Sequence, residues 1–295
     1  MSEKRKILVA VDFSAISDRA LRQAHSLSKA LGKDLMLVHV IEEHGGFFSF
    51  FTPEQKQMAE EEINGKMEAL QKRALKHSGQ NAEYLILKGK PYLRILEKAE
   101  EINAAMVVMG VRGEVSHKAE EHYVGSHASK VAKAAICPVV TVSNKVTCHN
   151  LRTLLLPLDL TRETRQKVTN AIELAKKFNA SIKVLSVQPS SGDHTMYTRL
   201  TIVLRQVVEF IQNANIECSG ELIENKKAAR SAVPAILEYA DQQGNIDMIL
   251  VMTQSEAGMF DFFISSNAQE MLKRSKYPVM SIKPKDLERT SVFSF

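Results

Sequence analysis

Two short runs in the first half of the chain have the residue types and spacing that suit a bound phosphate. Met-Gly-Val-Arg-Gly at positions 109–113 follows an apolar, strand-like run, and Gly125-Ser126 opens the next predicted helix. Glycine lets backbone N–H groups approach a phosphate closely, and a helix N-terminus adds unpaired N–H donors and a favourable dipole. The Ser126 hydroxyl adds a donor. Although Gly-x2-Gly alone often marks only a turn, this setting predicts a phosphate-binding loop without a Walker lysine.

The sequence provides no recognisable catalytic machinery. We find no Ser/His/Asp order and no paired carboxylates beside a nucleophile. His117, His122 and His127 are five residues apart, a spacing that does not place them on one helix face, and we interpret them as surface histidines. We therefore predict no catalytic residue and no metal site.

The elements that must position the phosphate loop occur twice. Residues 7–14 have their counterpart in residues 154–161, at an offset of 147 (159 − 12 = 147), and residues 125–139 have theirs in residues 265–279, at an offset of 140 (265 − 125 = 140). In each copy, apolar runs alternate with helical periodicity in the order βαβαβαβαβ. This order predicts a parallel sheet with helices on both faces.

The repeat divides the chain into two α/β domains. We place the first at residues 1–145 and the second at residues 150–285, joined by a short polar linker, with a C-terminal tail at residues 286–295. Because the whole chain has 295 residues, each domain is long enough to bury a core of its own.

Composition excludes several classes of function. The net charge of +5 is mild, the lysines are scattered among acidic residues, and there is no Trp, so we predict no nucleic-acid binding. No apolar run approaches the roughly 20 residues that span a bilayer, and the N-terminal residues do not resemble a signal peptide. The three cysteines lack metal-ligand spacing. We expect a cytoplasmic protein with free thiols that does not bind membranes.

Several motifs together resemble the universal stress protein family. They are Val-Asp-Phe-Ser at 11–14, His-Val-Ile-Glu at 39–42, Val-Met-Gly-x2-Gly at 108–113, Gly-Ser at 125–126 and Cys-Pro-Val at 137–139. The resemblance extends over nearly the whole chain, once in each half. It implies two tandem doubly wound α/β domains, each with a five-stranded parallel sheet of order 3-2-1-4-5 and helices on both faces.

The resemblance also implies a ligand, because many members of this family bind ATP. Asp12 and Val40 would hold the base and ribose end, and the glycines and Ser126 would hold the phosphates. Whether Mg²⁺ accompanies the nucleotide is left open. The residues implied for this site are Asp12, Val40, Met109, Gly110, Arg112, Gly113, Gly125, Ser126 and His127.

The chain departs from the family pattern in both halves. The family motif has nine residues between its second and third glycines, whereas 11 residues separate Gly113 from Gly125 here (125 − 113 − 1 = 11), and they include Glu120 and Glu121. In the second half, residues 253–256 replace the first glycine pair, with Glu256 assigned to the position of the second glycine, and Ser-Ser replaces Gly-Ser. We expect the second half to bind ATP poorly or not at all.

These observations predict a stress-response regulatory protein. Its N-terminal domain binds ATP or a related adenine nucleotide, and its C-terminal domain pairs with the first and serves interaction. A homodimer and an unidentified protein partner are left open. The alternative is an interaction module that binds no nucleotide, and a third class is an enzyme for adenylyl transfer or hydrolysis. Any hydrolysis should be slow, because no general base is evident.

Overall fold

The computed structural model describes residues 5–42, 51–111, 126–143, 151–158, 164–189, 194–225, 231–253 and 264–283. Strands and helices alternate through both halves. The first half contains β1 (Ile7–Ala10), α1 (Ala15–Leu31), β2 (Leu35–Ile41), α2 (Pro53–Ser78), β3 (Ala82–Lys88), α3 (Pro91–Glu101), β4 (Met106–Gly110), α4 (Ser126–Ala134) and β5 (Val139–Val142). The second half contains β6 (Thr153–Leu158), α5 (Thr164–Phe178), β7 (Ser181–Pro189), α6 (His194–Gln212), β8 (Cys218–Asn225), α7 (Val233–Gln243), β9 (Met248–Met252), α8 (Ile264–Arg274) and β10 (Val279–Ile282).

The described strands form one continuous sheet of ten strands. Their order is β3-β2-β1-β4-β5-β10-β9-β6-β7-β8, so each half has the order 3-2-1-4-5 that the family resemblance implies. Within each half all strand pairs are parallel. The sequence predicts a separate sheet for each domain, whereas the structure joins the two sheets edge to edge.

The junction between the halves is the antiparallel pair β5–β10. Thr141 lies opposite Val279, and Val140 lies opposite Met280. The Thr141 Oγ1 donates to the Val279 carbonyl at 3.3 Å, and the Ser281 Oγ donates to the Val139 carbonyl at 3.2 Å. The two halves therefore pair within one chain. Because the junction is antiparallel, the carboxyl ends of the strands in the two halves lie at opposite edges of the sheet.

The helices cover both faces of the sheet, as the strand sequences require. Strands β1, β4 and β6 are apolar and almost wholly buried, which is typical of parallel strands covered on both sides. Helices α1, α2, α5 and α6 contribute to the core on one face, and α3, α4, α7 and α8 contribute to the core on the other. Among the described helices, none is long and apolar enough to cross a bilayer.

One polar residue in the core of the α1 face is unfavourable for stability. Gln23 is fully buried on the same side of α1 as Ala20 and Leu27, and neither polar atom of its amide has a hydrogen-bond partner in the described structure. An unpaired buried amide costs about 1–3 kcal/mol, and methionine has nearly the same shape without that cost. We expect Gln23→Met to raise the free energy of unfolding by about 1–3 kcal/mol in urea titrations.

A matched control is Gln57→Met on α2, where the glutamine is exposed and donates to Glu61 at 3.1 Å. This variant should not be stabilised, because no buried polar group is removed. If Gln23→Met left stability unchanged or reduced it, the interpretation of Gln23 as a destabilising residue would be wrong.

Candidate functional site

A cavity of about 510 Å³ lies at the carboxyl ends of β1, β2 and β4, between the start of α1 and helices α3 and α4. The strand order reverses between β1 and β4, and doubly wound sheets bind ligands at this position. The cavity is lined by Ala10, Val11, Asp12, Ser14, Ile16, Ser17, Val38, Val40, Pro91, Ile95, Met109, Gly110, His127 and Ala128. Most of its wall is apolar, and its polar side chains lie near the first turn of α1 and, at His127, in the first turn of α4.

The cavity brings together five of the nine residues predicted from the sequence. Asp12, Val40, Met109, Gly110 and His127 all line it, although they come from three strand ends and one helix. Ser126 is the first residue of α4, and its side chain is outside the described structure. Residues outside the described ranges include Arg112, Gly113, Glu120, Glu121 and Gly125, so the effect of the lengthened loop stays a prediction.

The turn between β1 and α1 fixes the polar end of the cavity. The backbone N–H of Ser14 donates to the Asp12 Oδ1 at 3.0 Å, which folds the turn around this carboxylate. The Ser14 Oγ in turn accepts from the backbone N–H of Ser17 at 3.1 Å and thereby caps α1. Asp12 and Ser14 are therefore held at the cavity by the same short hydrogen-bonded segment.

Phe13, in the same turn, adopts a strained backbone conformation. Its φ of 61° is rare for a bulky residue, and such strain persists only where surrounding contacts impose it. The Phe13 ring packs against His39, with ring centroids 4.6 Å apart, and the His39 Nδ1 lies 2.7 Å from the Val11 carbonyl oxygen. Because a carbonyl oxygen only accepts, the His39 Nδ1 donates this hydrogen bond, and burial lowers the pKa of His39, which favours the neutral ring. These contacts support the turn that carries Asp12.

Gly110 permits the close approach of α1 to β4. A Cβ atom at this position would lie 2.7 Å from the Ile16 Cγ2 and 3.2 Å from the Ile16 carbonyl carbon. Both distances are shorter than ordinary van der Waals contacts. The glycine therefore allows the first turn of α1 to close one side of the cavity.

Sequence reasoning missed the residues that shape the cavity wall. Ile16 and Ser17 lie in the first turn of α1, Pro91 is the first residue of α3, and Ile95 and Ala128 come from α3 and α4. The available signal was their place in the first turns of helices that follow strands, because such turns lie beside the carboxyl ends of the sheet. Four of these five side chains are apolar, and the Ser17 hydroxyl bonds the Ser14 carbonyl of the α1 cap, so none carried a separate chemical signal.

Comparison with known proteins identifies the family. The universal stress protein family model matches residues 4–143 and, a second time, residues 150–283. The chain belongs to the universal stress protein family. It is 28% identical over 158 residues to Universal stress protein MJ0577 of Methanocaldococcus jannaschii, across 48% of this chain and 96% of that relative. One such relative therefore corresponds to about half of this two-repeat chain.

Solved structures of universal stress proteins also resemble this chain. A universal stress protein from Archaeoglobus fulgidus DSM 4304 matches with a TM-score of 0.75 and 19% identity, over 95% of this chain and 97% of that one, which shows a shared fold. A universal stress protein from Archaeoglobus fulgidus in complex with dAMP matches with a TM-score of 0.36 and 16% identity, over 46% of this chain and 99% of that one. The dAMP complex describes a ligand of that relative.

Strand register in the two universal stress protein repeats corrects one assignment made from the sequence. The Val111 N–H donates to the Val142 carbonyl in the first repeat, and the Thr253 N–H donates to the Ile282 carbonyl in the second. The offset here is 142 (253 − 111 = 142), so Met252 occupies the position of Gly110. The assignment of Thr253 to that position was wrong by one residue. Gly113 and Glu256 both lie outside the described residues, so the assignment of Glu256 to the Gly113 position stays a prediction.

The second repeat has different side chains at the equivalent edge of the sheet. At the offset of 147, Lys167 stands at the position of Ala20 (20 + 147 = 167), and Pro157 stands at that of Ala10 (10 + 147 = 157). Lys167 is only 2% exposed, and its Nζ donates to the Pro157 carbonyl at 2.5 Å. Met252 is buried on the same face, where Gly110 leaves room in the first repeat.

Strand pairing in the second repeat ends early beside these residues. The β1–β4 pairing extends to Val9 and Val108, whereas the β6–β9 pairing stops one position earlier, at Leu155 and Ile249. Pro157 lacks an N–H and cannot donate to a neighbouring strand. The second repeat therefore differs from the first in the side chains and in the extent of strand pairing at this edge.

The described cysteines and acidic residues do not suggest a redox or metal centre. Cys137 and Cys218 are free, and burial raises the pKa of each thiol, to about 12 for Cys218, which favours the unreactive protonated form. In the described ranges, no group of three or more His, Cys, Asp or Glu residues is placed to hold a metal ion. His117, His122 and Cys148 lie outside those ranges.

Proposed function

We propose that this universal stress protein is a regulatory protein whose first repeat binds ATP or a related adenine nucleotide. The observation that supports this proposal is the cavity of about 510 Å³ at the strand-order reversal, which contains five of the residues that the family resemblance assigns to the nucleotide. Its volume is within the range of about 300–1,000 Å³ that is usual for small-molecule sites.

The residues present fit an adenine nucleotide in character. Val38, Val40 and Met109 supply apolar surface of the kind that packs against a purine ring. At the other end, Asp12 and Ser14 supply polar groups for a ribose, and the N-terminus of α4 supplies the backbone donors and dipole that favour phosphates. Asp12 is the carboxylate in the described lining, so it is the residue that would face an accompanying Mg²⁺.

We propose that the nucleotide acts as a conformational ligand and not as a substrate. The Asp12 carboxylate accepts a hydrogen bond from the Ser14 N–H, a role in turn structure that makes it a poor general base. Binding would stabilise one arrangement of the α1 start and α4, and so change the surface offered to a partner. The second repeat, with Lys167 and Met252 at its equivalent edge, would serve pairing and interaction within the cytoplasm.

Val40 and Val187 provide a matched test of this proposal. They occupy equivalent positions in the two repeats (187 − 40 = 147), and both are partly buried at the ends of their strands. In calorimetric titrations with ATP and Mg²⁺, we expect about one site per chain. Val40→Phe should weaken binding at least tenfold, because the larger ring fills the cavity, whereas Val187→Phe should leave affinity unchanged.

Three other results would favour different functions. If the wild-type protein released no heat and showed no thermal shift at millimolar ATP, the interaction module without nucleotide binding would be the better interpretation. If Val187→Phe alone abolished binding, the site would belong to the second repeat. If ATP turned over well above background, the enzyme class would replace the regulatory one.

A further inference from the structure

His127 and Glu42 form a charged contact at the cavity that the family resemblance does not account for. His127 lies in the first turn of α4 and lines the cavity, and Glu42 directly follows β2. The His127 Nε2 is 3.6 Å from the Glu42 Oε1, which is too long for a direct hydrogen bond but close enough for a Coulomb attraction that solvent partly screens. The pair therefore links two elements on different sides of the cavity.

Within the described ranges, the other ring nitrogen of this histidine makes no hydrogen bond. The His127 Nδ1 is buried, although the side chain as a whole is 41% exposed, and within the described structure it makes no hydrogen bond. A buried polar atom normally has a partner, so an unpaired one in the wall of a cavity is available to a ligand. Because Glu42 favours a proton on Nε2, a second proton on the ring would make Nδ1 a donor and the ring a cation.

Among the described residues, three further side chains bear on the charge of the His127 ring. The Tyr92 ring of α3 stacks on the imidazole, with centroids 6.2 Å apart. Lys130 lies on α4, like His127, and its Nζ is 4.5 Å from the centre of the Tyr92 ring. Asp12, at the β1–α1 turn, lines the same cavity. Glu42 and Asp12 favour the imidazolium, and the positive charge of Lys130 opposes it. An anionic ligand in the cavity would stabilise the imidazolium further.

We propose that Glu42 and His127 form a proton-linked contact for the phosphates of the bound nucleotide. On binding, His127 takes up a proton from solvent, its Nδ1–H donates to a phosphate oxygen, and Glu42 stabilises the resulting imidazolium. This proposal rests on the proposed function of the first repeat. It also separates the two repeats, because the positions of Glu42 and His127 carry Pro189 (42 + 147) and Asn267 (127 + 140) in the second.

Linkage gives the sign of the expected pH dependence. Because the complex holds more protons than the free protein, nucleotide affinity must rise as pH falls and must weaken as the imidazolium loses its proton. We expect the ATP affinity of the wild type to fall about tenfold more between about pH 6 and about pH 8 than that of His127→Asn. Asparagine is the residue of the second repeat, and it keeps an amide donor but takes up no proton.

Calorimetry at three pH values, in buffers of different ionisation enthalpy, measures the ATP affinity and the number of protons taken up on binding. The terminal phosphate of the ligand titrates near pH 6, about where histidine does, but the ratio of the two affinities cancels that contribution. Wild type should take up a larger fraction of a proton on binding than His127→Asn does. Glu42→Gln, a change at a half-exposed side chain, should reduce the uptake without removing the histidine.

The outcomes distinguish this proposal from the one on which it rests. If wild type and His127→Asn both bind ATP with parallel pH profiles and equal proton uptake, the proton-linked contact is wrong and nucleotide binding still stands. If Glu42→Gln retains the wild-type profile, Glu42 has no part in it. If no protein binds ATP at any of the three pH values, both proposals fail. Circular dichroism of each variant verifies that the comparison is between folded proteins.

Discussion

Replacing Gly110 with valine should weaken ATP binding by about 30-fold and destabilise the protein by about 1–3 kcal/mol. The first added atom would lie 2.7 Å from the Ile16 Cγ2, and 3.2 and 3.3 Å from the carbonyl carbon and oxygen of Ile16. A methyl group could rotate away, but backbone atoms cannot. The first turn of α1 must therefore move away from β4, and Ser14 and Ser17 move with it.

The expected loss of ATP affinity follows from the hydrogen bonds that Ser14 makes in that turn. Ser14 holds the Asp12 carboxylate through its N–H and caps α1 through its Oγ. A shift of the turn would displace the polar end of the cavity relative to the apolar wall from β2 and β4. Calorimetric titration with ATP measures the affinity, and urea unfolding measures the stability.

Gly65 provides the control for the effect of removing a glycine. It lies inside α2 with no atom within 4 Å of an added Cβ. Gly65→Ala should therefore stabilise the helix by about 0.5–1 kcal/mol and leave ATP affinity unchanged. Wild-type affinity in Gly110→Val would show that the approach of α1 to β4 is not needed for binding.

Much of the fold could be predicted because local pattern and tertiary environment agree. The order of strands and helices in each half is the one that the sequence predicts, since a short apolar run between turn residues has few alternatives when both faces are buried. The joining of the two sheets could not be predicted in this way. The pairing of Thr141 with Val279 connects residues 138 positions apart (279 − 141 = 138), and periodicity carries no information about such contacts.

The candidate site was predicted where chemistry and topology coincide. Asp12 follows β1, and Val40 and Gly110 lie in the last residues of β2 and β4, so their proximity follows from the topology of a parallel sheet. The register of the second repeat was harder, because the offset between repeats changes from 147 to 142 to 140 along the chain. Without a sequence anchor at β9, only the strand pairing and backbone hydrogen bonds could show that Met252 occupies the position equivalent to Gly110.

Helical periodicity indicates a buried side chain at Lys167, but this prediction was not made from the sequence. The lysine lies on the same stripe of α5 as Ala171 and Leu174, which are buried, so helical periodicity places its side chain in the core. A charged residue on such a stripe is seldom buried unless it is paired. Here its Nζ donates to the carbonyl of Pro157, and that contact could not be inferred from spacing.

Replacing Lys167 with methionine should lower the free energy of unfolding by about 3 kcal/mol. Methionine fills most of the volume, but the buried Pro157 carbonyl loses a charged donor at 2.5 Å where β6 and β9 have already stopped pairing. Urea unfolding measures the loss. Lys176→Met, on the exposed side of the same helix, removes an equal charge and should change stability by less than about 0.5 kcal/mol.

The same pair of variants separates a structural role for Lys167 from a role in binding. The lysine lies at the edge of the second repeat, and the antiparallel junction places that edge on the opposite side of the sheet from the first cavity. Lys167→Met should therefore lose stability and retain the ATP affinity of the wild type. Lost affinity with unchanged stability would contradict this account, because it would make Lys167 a ligand contact in a repeat to which we assign no nucleotide.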